Sequence, residues 1–170
     1  MKKVVITGPE STGKSTLSSL LAKQYQTVWV PEYARTYIDN LDRDYEKDDL
    51  ITIAQGQLNA EKAMAQKAQN NLLICDTELI VIKIWAEHKY GVCPHEIIKG
   101  IKENRYDLYL LTYIDIPWED DPQRENPHLR QYFYDLFKKE LEYFELPYVE
   151  INGGADERLA KASQAINSIL

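Results

Sequence analysis

The chain has 170 residues, of which 44% are hydrophobic and 28% are charged. This composition is typical of a folded globular domain and excludes collagen-like, disordered and disulfide-scaffold proteins. Twenty-seven acidic against twenty basic residues give a net charge of −7, which argues against nucleic acid or an anionic membrane as a partner. The length predicts one domain over residues 1–170, and two cysteines without metal-site spacing predict a cytoplasmic protein.

Five short segments rich in apolar, β-branched or aromatic residues predict strands. In chain order these segments are residues 4–7, 27–30, 72–75, 108–112 and 148–151. The stretches between them carry apolar residues at helical spacing. Because parallel neighbouring strands need a crossover connection, this alternation predicts an α/β fold with helices on both faces of a parallel sheet. Ligands of such sheets bind at the carboxyl ends of the strands.

Two connecting segments have the composition of loops. Residues 39–49 contain six acidic residues and little apolar content, which predicts a solvated, mobile loop. Residues 116–127 contain three prolines that oppose regular structure, and a helical stretch follows from about residue 128 to 144. We expect this second segment to form a lid over about residues 116–130.

The first predicted strand runs directly into Gly-Pro-Glu-Ser-Thr-Gly-Lys-Ser at residues 8–15, which matches the phosphate-loop pattern G-x-x-x-x-G-K-[ST]. Its glycines let backbone N–H groups surround a phosphate, and the next helix offers its positive N-terminal end to the anion. We expect Lys14 to bridge the β- and γ-phosphates of ATP and Ser15 to bind Mg²⁺. The predicted ATP-binding residues are Gly8, Glu10, Ser11, Thr12, Gly13, Lys14, Ser15 and Thr16.

Two classes of phosphate-loop protein fit the sequence poorly. GTPases carry an Asp-x-x-Gly switch and an Asn-Lys-x-Asp guanine reader, and the chain contains neither pattern. Motor and remodelling ATPases usually have two acidic residues at the end of a strand, whereas the third predicted strand ends at a single Asp76 followed by Thr77. The remaining class is small-molecule phosphotransfer.

A small-molecule kinase needs a carboxylate for the acceptor hydroxyl, one in the metal shell, and arginines for the transferring phosphoryl group. Glu32 follows the second predicted strand and is expected to contact the acceptor, although a carboxylate also suits a helix start. Asp76 is suited to holding Mg²⁺ through water, to taking the acceptor proton or to capping a helix. The residues alone leave open which carboxylate is the base. Arg124 and Arg130 are placed to close over the γ-phosphate, unless they simply face solvent.

With these residues located, the chain resembles the kinase domain of the bifunctional NadR proteins, a ribosylnicotinamide kinase of the P-loop kinase type. The resemblance covers nearly the whole chain and is carried by the phosphate loop and five further motifs. These motifs are Glu32-Tyr33-Ala34-Arg35, Ala54-Gln55-Gly56-Gln57 on the predicted second helix, Asp76-Thr77-Glu78, Trp118-Glu119-Asp120-Asp121-Pro122-Gln123-Arg124 and Pro147-Tyr148-Val149-Glu150-Ile151. Two positions depart from the family pattern: Pro122 stands where a glycine is expected, and Glu78 where an aspartate is usual.

The resemblance implies ATP-dependent phosphorylation of the ribose 5′-hydroxyl of nicotinamide riboside to nicotinamide mononucleotide, a step of NAD salvage. It also implies a P-loop NTPase three-layer sandwich with a five-stranded parallel sheet of order 2-3-1-4-5 and a small lid. The catalytic residues expected from the motifs and the resemblance together are Lys14, Glu32, Asp76, Arg124 and Arg130. The expected metal-binding residues are Ser15 and Asp76, and the expected substrate-binding residues are Glu32, Tyr33, Arg35, Gln55, Asp76 and Trp118.

The expected acceptor is a pyridinium cation, which favours aromatic surroundings. The residues considered for stacking on its ring are Tyr33, Tyr37, Trp85 and Trp118. Two alternatives stay open from the sequence: a kinase for another nucleoside or small metabolite, and a non-catalytic sensor that binds ATP. A sensor binds nucleotide but releases no ADP in response to an acceptor. Neither the oligomeric state nor the preferred nucleotide base follows from the sequence.

Overall fold

The computed structural model describes residues 1–170. Five strands are present, with the bounds β1 Lys2–Thr7, β2 Trp29–Val30, β3 Leu72–Asp76, β4 Leu108–Thr112 and β5 Tyr148–Ile151. Seven α-helices are present, with the bounds α1 Lys14–Gln24, α2 Tyr33–Asp39, α3 Lys47–Ala65, α4 Leu79–Tyr90, α5 His95–Glu103, α6 Arg130–Tyr143 and α7 Ala155–Asn167. A 3₁₀ turn, Pro127–Leu129, precedes α6. None of the helices has the length and apolar character needed to span a membrane.

The strands form one parallel sheet in the order β2-β3-β1-β4-β5. This confirms the α/β fold class and the strand order expected above. The central strand β1 pairs with β3 on one side and β4 on the other, with Val5 opposite both Cys75 and Tyr109. The carboxyl ends of β1, β3 and β4 therefore meet at the same edge of the sheet.

Alternate strand residues point into two separate apolar clusters, one on each face of the sheet. Val5, Cys75 and Tyr109 belong to the larger cluster, which includes residues of α3, α4, α5 and α6. Ile6 and Leu110 belong to the smaller one, with residues of α1 and α7. Two helical layers thus enclose the sheet, as the three-layer prediction requires.

The second strand is shorter than predicted, covering Trp29–Val30 instead of residues 27–30. The side-chain hydroxyl of Thr27 donates to the carbonyl oxygen of Leu72 at 2.6 Å and accepts from the amide N–H of Gln69 at 3.0 Å. A side chain therefore makes the link to β3 that the backbone was expected to make.

The prediction of a mobile acidic loop over residues 39–49 is wrong at its end, because α3 begins at Lys47. Asp49 is buried and forms a capping box with Glu46, whose N–H donates to it at 2.7 Å. The guanidinium of Arg43 donates to the same carboxylate at 2.7 and 3.0 Å, and the Tyr37 hydroxyl donates at 2.8 Å. Because the short helix α2 was also not predicted, the motif around Gln57 lies on the third helix and not on the second.

Gly56 on α3 lies under the ring of Tyr33 on α2. A Cβ atom at residue 56 would stand 2.0 Å from Cε1 of Tyr33. Gln57 adds a second link between the helices, because its Oε1 accepts from the Tyr33 N–H at 2.9 Å. The absence of a side chain at residue 56 therefore lets α2 pack directly on α3.

We expect Gly56→Ala to lower the free energy of unfolding by about 1–3 kcal/mol, because overpacking displaces the Tyr33 ring and outweighs the better helix propensity of alanine. Urea unfolding measures the change. Gly154→Ser is the matched control, since a Cβ there meets no atom within 4 Å and serine, like glycine, suits the N-cap position of α7, so its effect should be a few tenths of a kcal/mol. Wild-type stability of Gly56→Ala would contradict the packing argument.

Candidate active site

The phosphate loop joins β1 to α1 and folds back on itself through side-chain contacts. The Pro9 carbonyl oxygen accepts from Thr12 Oγ1 at 2.8 Å and from Lys14 Nζ at 2.7 Å. Gly8 has φ +138°, and a Cβ there would lie 2.6 Å from Thr112 Oγ1. Gly13, at φ +77°, leads into α1. The glycines of the motif are thus required by backbone conformation and by the close approach of β4.

Desolvation lowers the pKa of Lys14, and the nearby carboxylates of Glu32, Asp76 and Glu10 oppose that shift. An ammonium with little hydration and several carboxylates around it is well prepared to exchange its contacts for an anionic ligand. Glu10 lies beside the lid, where its Oε2 accepts from the N–H groups of Glu125 and Asn126 at 3.4 Å. The ammonium of Lys14 in the first turn of α1 is therefore surrounded by three carboxylates, those of Glu10, Glu32 and Asp76.

Ser15 and Asp76 meet where α1 begins and β3 ends. Ser15 Oγ donates to Asp76 Oδ2 at 2.5 Å, and Asp76 Oδ1 is buried without a hydrogen-bond partner. Burial raises the pKa of Asp76 to about 6, with Glu32 adding to the shift and the Ser15 bond opposing it. The chain has no group of three or more His, Cys, Asp or Glu able to hold a metal ion. A hydroxyl with one unpaired carboxylate oxygen fits Mg²⁺, which keeps waters and phosphate oxygens as its other ligands.

Glu78, and not Asp76, caps the helix that follows β3. Its Oε2 accepts from the N–H of Ile80 at 2.6 Å, and its Oε1 accepts from the hydroxyl of Thr7 at 3.0 Å. The capping alternative for Asp76 is therefore wrong, and its carboxylate is left to the site. The position at which this chain departs from the family aspartate is occupied by a side chain buried beneath the site.

Burial raises the pKa of Glu78 to about 8 from an ordinary 4.5. Since the folded protein holds this proton more tightly than the unfolded chain, the stabilisation is complete below about pH 4.5 and is lost as pH rises through 8. Glu78→Gln imitates the protonated form, with its oxygen towards Ile80 and its amide group towards Thr7. One pKa unit corresponds to about 1.4 kcal/mol. We therefore expect the free energy of unfolding of Glu78→Gln at pH 8 to exceed that of the wild type by about 1 kcal/mol or more.

Urea unfolding at pH 5 and pH 8 checks this expectation, because the difference between the two proteins isolates residue 78 from all other titrating groups. Glu96→Gln, an exposed change in the first turn of α5, is the matched control and should follow the wild type. If Glu78→Gln has a lower free energy of unfolding than the wild type at pH 8, the buried carboxyl is not protonated at that pH.

A cavity of about 380 Å³ extends from the phosphate loop into the space between α2, α3, α4 and α6. One wall consists of the loop and the start of α1, over residues 8–16. The opposite wall is apolar and aromatic. Its residues are Ile38, Tyr45, Leu50, Ile53, Val81, Ile82, Ile84, Trp85, Phe133 and Phe137. The volume is in the range that takes a small-molecule ligand.

Glu32, Arg35 and Arg124 also line this cavity. They also line a neighbouring polar depression together with Ser15 and Asp76. Glu32 occupies the position before α2, but its side chain makes no capping hydrogen bond. The carboxylate is therefore not occupied by the helix, and it lies close enough to Lys14 to oppose the lowering of the Lys14 pKa.

The predicted lid, residues 116–130, is fastened to both sides of the cavity. Ser11 Oγ accepts from the Glu119 N–H at 2.9 Å on the phosphate-loop side. Arg35 pairs with Asp121 at 2.8 Å on the α2 side. No helix or strand lies between β4 and the 3₁₀ turn, as the prolines predicted.

The two predicted lid arginines have different surroundings. Arg124 lines the cavity, and its Nη1 donates to the carbonyl oxygen of Glu119 at 2.5 Å. Arg130 does not line it; its Nη1 donates to the carbonyl oxygens of Ser11 at 3.1 Å and Ile116 at 3.0 Å. The structure thus places Arg124 in the lining of the cavity and ties Arg130 to the backbone of the phosphate loop.

Three of the predicted substrate-binding residues do not line the cavity. Gln55 is exposed on α3 and donates to Asn59 at 3.0 Å. Tyr33 covers Gly56, and Trp118 Nε1 donates to Asp120 at 2.9 Å. Of the aromatic residues considered for stacking, Trp85 is the one that lines the chamber, stacked on Phe133 with ring centroids 6.4 Å apart.

The chain is similar to known proteins over most of its length. A family model described as an AAA domain, AAA_28, matches residues 3–158. The trifunctional NAD biosynthesis/regulator protein NadR of Escherichia coli (strain K12) is 29% identical over 160 residues, which are 89% of this chain and 38% of that protein. The chain therefore spans well under half the length of this curated relative.

Two solved structures are similar along the full fold. A crystal structure of a NadR protein in complex with NR superposes with a TM-score of 0.80 at 25% identity, covering 98% of this chain and 50% of that one. A crystal structure of a NadR protein in complex with NAD and AMP-PNP gives a TM-score of 0.78 at 27% identity, covering 98% and 49%. The similarity thus extends over the phosphate loop, the chamber and the lid alike.

Proposed function

The chain belongs to the AAA_28 family of AAA domains, and on that premise we propose that it is an ATP-dependent kinase for the ribose 5′-hydroxyl of nicotinamide riboside. The observation that carries the proposal is the continuous cavity that joins the phosphate loop to an aromatic chamber, with Glu32, Arg35 and Arg124 in the same lining. Such a cavity places an acceptor in the chamber beside the terminal phosphate of a nucleotide on the loop, as phosphoryl transfer requires.

Both ligands are supported by the similar structures, one of which holds NR and the other AMP-PNP. In this proposal the backbone N–H groups of the loop and Lys14 bind the phosphates. Ser15 and Asp76 hold Mg²⁺, which neutralises charge on the phosphate oxygens when it is bound. Arg124, from the lid, adds positive charge on the other side of the transferring group.

We assign the acceptor contact to Glu32. Asp76 accepts from Ser15 through one oxygen, and its second oxygen is buried without a hydrogen-bond partner and is therefore available to Mg²⁺. Glu32 makes no helix-capping bond and borders both the cavity and the polar depression. A carboxylate at that place orients the 5′-hydroxyl and accepts its proton as the phosphoryl group arrives.

The chamber suits a pyridinium ring. Its lining of Trp85, Tyr45, Phe133 and Phe137 presents aromatic surfaces, which attract a flat cation by dispersion and through the ring quadrupole. The net charge of −7 adds a long-range attraction for a cation. A neutral nucleoside gains the stacking but not the electrostatic contribution, so we propose that the cationic substrate is preferred.

The buried position of Glu78 argues against a remodelling ATPase, because β3 presents only one acidic side chain, Asp76, to the site. The proposal is tested by measuring ADP release with Mg-ATP alone, with nicotinamide riboside and with a panel of ordinary nucleosides. We expect turnover that depends on nicotinamide riboside. Turnover with another nucleoside would mean that this nucleoside, and not nicotinamide riboside, is the substrate. ATP binding without acceptor-dependent ADP release would identify a sensor instead.

A further inference from the structure

Arg158 on α7 is a buried arginine whose guanidinium reaches three segments around the phosphate loop. Its Nη1 donates to the carbonyl oxygen of Thr12 at 2.7 Å, and its Nε donates to that of Gly153 at 2.8 Å. Its Nη2 donates to the carbonyl oxygen of Tyr113 at 2.8 Å and pairs with the carboxylate of Asp115. The side chain is only 6% exposed. No motif of the phosphate loop or the lid includes this residue.

The contact with Thr12 fixes the orientation of one peptide unit of the loop. In a planar trans peptide the C=O of one residue and the N–H of the next point in opposite directions, and the chain contains no cis peptide bond. Because Arg158 holds the Thr12 carbonyl on the α7 side, the Gly13 N–H is directed to the opposite side. Gly13 itself lines the cavity.

Arg130 makes the equivalent contact one residue earlier, since its Nη1 donates to the carbonyl oxygen of Ser11. Ser11 has φ +56°, a backbone conformation that is uncommon for a residue other than glycine and that persists only where the surrounding structure imposes it. Two arginines from different helices thus hold two consecutive carbonyls. The N–H groups of Thr12 and Gly13 are then aligned as a nest, the backbone arrangement that binds anions.

We propose that Arg158 is a positioning residue for the nucleotide, which aims the Gly13 N–H at the phosphates and ties the loop to β4 and to the turn before α7. The inference rests on the proposed function only in taking a nucleoside triphosphate as the ligand of the loop. Asp115 strengthens the tie, because its Oδ2 accepts from the Gly153 N–H at 2.6 Å. Arg158 acts through the backbone and does not contact the phosphates, since its charge is paired with Asp115.

Arg158 forms no hydrogen bond with the helices that line the chamber, α2, α3, α4 and α6. Replacing it with methionine, which keeps the apolar stem, should therefore weaken nucleotide binding selectively. We expect Arg158→Met to raise the Kd for Mg-ADP, measured by titration calorimetry, by about tenfold or more, with the KM for nicotinamide riboside within about twofold of the wild type. Arg158→Lys keeps the charge and one donor towards the carbonyls, and an intermediate Kd is expected.

Arg105→Met is the matched control. Arg105 also donates to two backbone carbonyls, those of Phe144 and Glu145 at 2.9 Å, but it precedes β4 at the opposite edge of the sheet. Circular dichroism at the assay temperature establishes that each variant is folded. Should Arg158→Met fail to fold, Arg158→Lys carries the same comparison with the cation retained.

The inference is overturned if folded Arg158→Met and Arg158→Lys bind Mg-ADP as the wild type does. It is equally overturned if the acceptor KM rises as much as the nucleotide Kd, because a general loss of structure would do that. A wild-type chain that binds Mg-ADP but phosphorylates no acceptor would contradict the proposed function while leaving the role of Arg158 intact. The two failures are thus distinguishable.

Discussion

Lys14→Ala should abolish acceptor-dependent ADP release and weaken ATP binding by about 10²–10³-fold. The ammonium lies at the first turn of α1 among Glu10, Glu32 and Asp76. Its removal leaves the phosphates facing these carboxylates without the cation that separates them. Titration calorimetry with a non-hydrolysable ATP analogue and a coupled ADP assay measure the two losses.

Lys23→Ala is the matched control, since Lys23 lies exposed in the last turn of the same helix. That variant should bind and turn over ATP as the wild type does. The folded state of Lys14→Ala should persist, because the Lys14 side chain makes one hydrogen bond, to the Pro9 carbonyl. ATP affinity preserved in folded Lys14→Ala would mean that the loop does not hold the phosphates as proposed.

Glu32→Gln and Asp76→Asn should each lower turnover by about 10²-fold or more, for different reasons. Glu32→Gln removes the proton acceptor and should leave the affinity for Mg-ATP near the wild-type value. Asp76→Asn weakens the metal position, so its activity should recover in part as the Mg²⁺ concentration is raised. Initial rates over a Mg²⁺ series, with nucleotide affinity measured separately, distinguish the two roles.

The pH dependence adds an independent check on Asp76. Burial raises its pKa to about 6, and a protonated carboxyl binds Mg²⁺ poorly, so kcat/KM of the wild type should fall as pH drops through about 6. Asp76→Asn should lack this inflection. Glu96→Gln, far from the site on α5, should retain both the wild-type rate and the wild-type profile. If high Mg²⁺ restored the activity of Glu32→Gln and not that of Asp76→Asn, Glu32 would be the metal-binding residue and Asp76 the proton acceptor.

The strands and the phosphate loop were predictable because their signals are local. The predicted bounds of β4 and β5 agree with the structure, since each is a short run of apolar or β-branched residues bounded by turn residues. The loop residues are contiguous, so spacing alone identifies them. The shortening of β2 was not predictable, because it depends on the Thr27 hydroxyl meeting a carbonyl 45 residues away.

The chamber and the arginine contacts required tertiary structure. Trp85, Phe133 and Phe137 have the same helical spacing whether they fill a core or line a cavity. Gln57 turns towards α2 and Gln55 towards solvent, although both belong to one motif. Arg158 joins partners from residue 12 to residue 153, and only the folded chain brings those positions together. The assignments of the individual site residues remain predictions that the variants above test.

The separation of the chamber from the contacts that hold the phosphate loop has a consequence for how such a protein diversifies. In the proposed function the acceptor occupies the chamber lined by α2, α3, α4 and α6, whereas Arg158 on α7 ties the phosphate loop to the segment after β4. Free-energy effects of substitutions at distant sites without shared partners add. Changes of acceptor preference can therefore accumulate in the chamber lining on α3, α4 and α6 with little effect on nucleotide binding. The same fold can therefore acquire specificity for a different acceptor alcohol while it keeps the same phosphate donor.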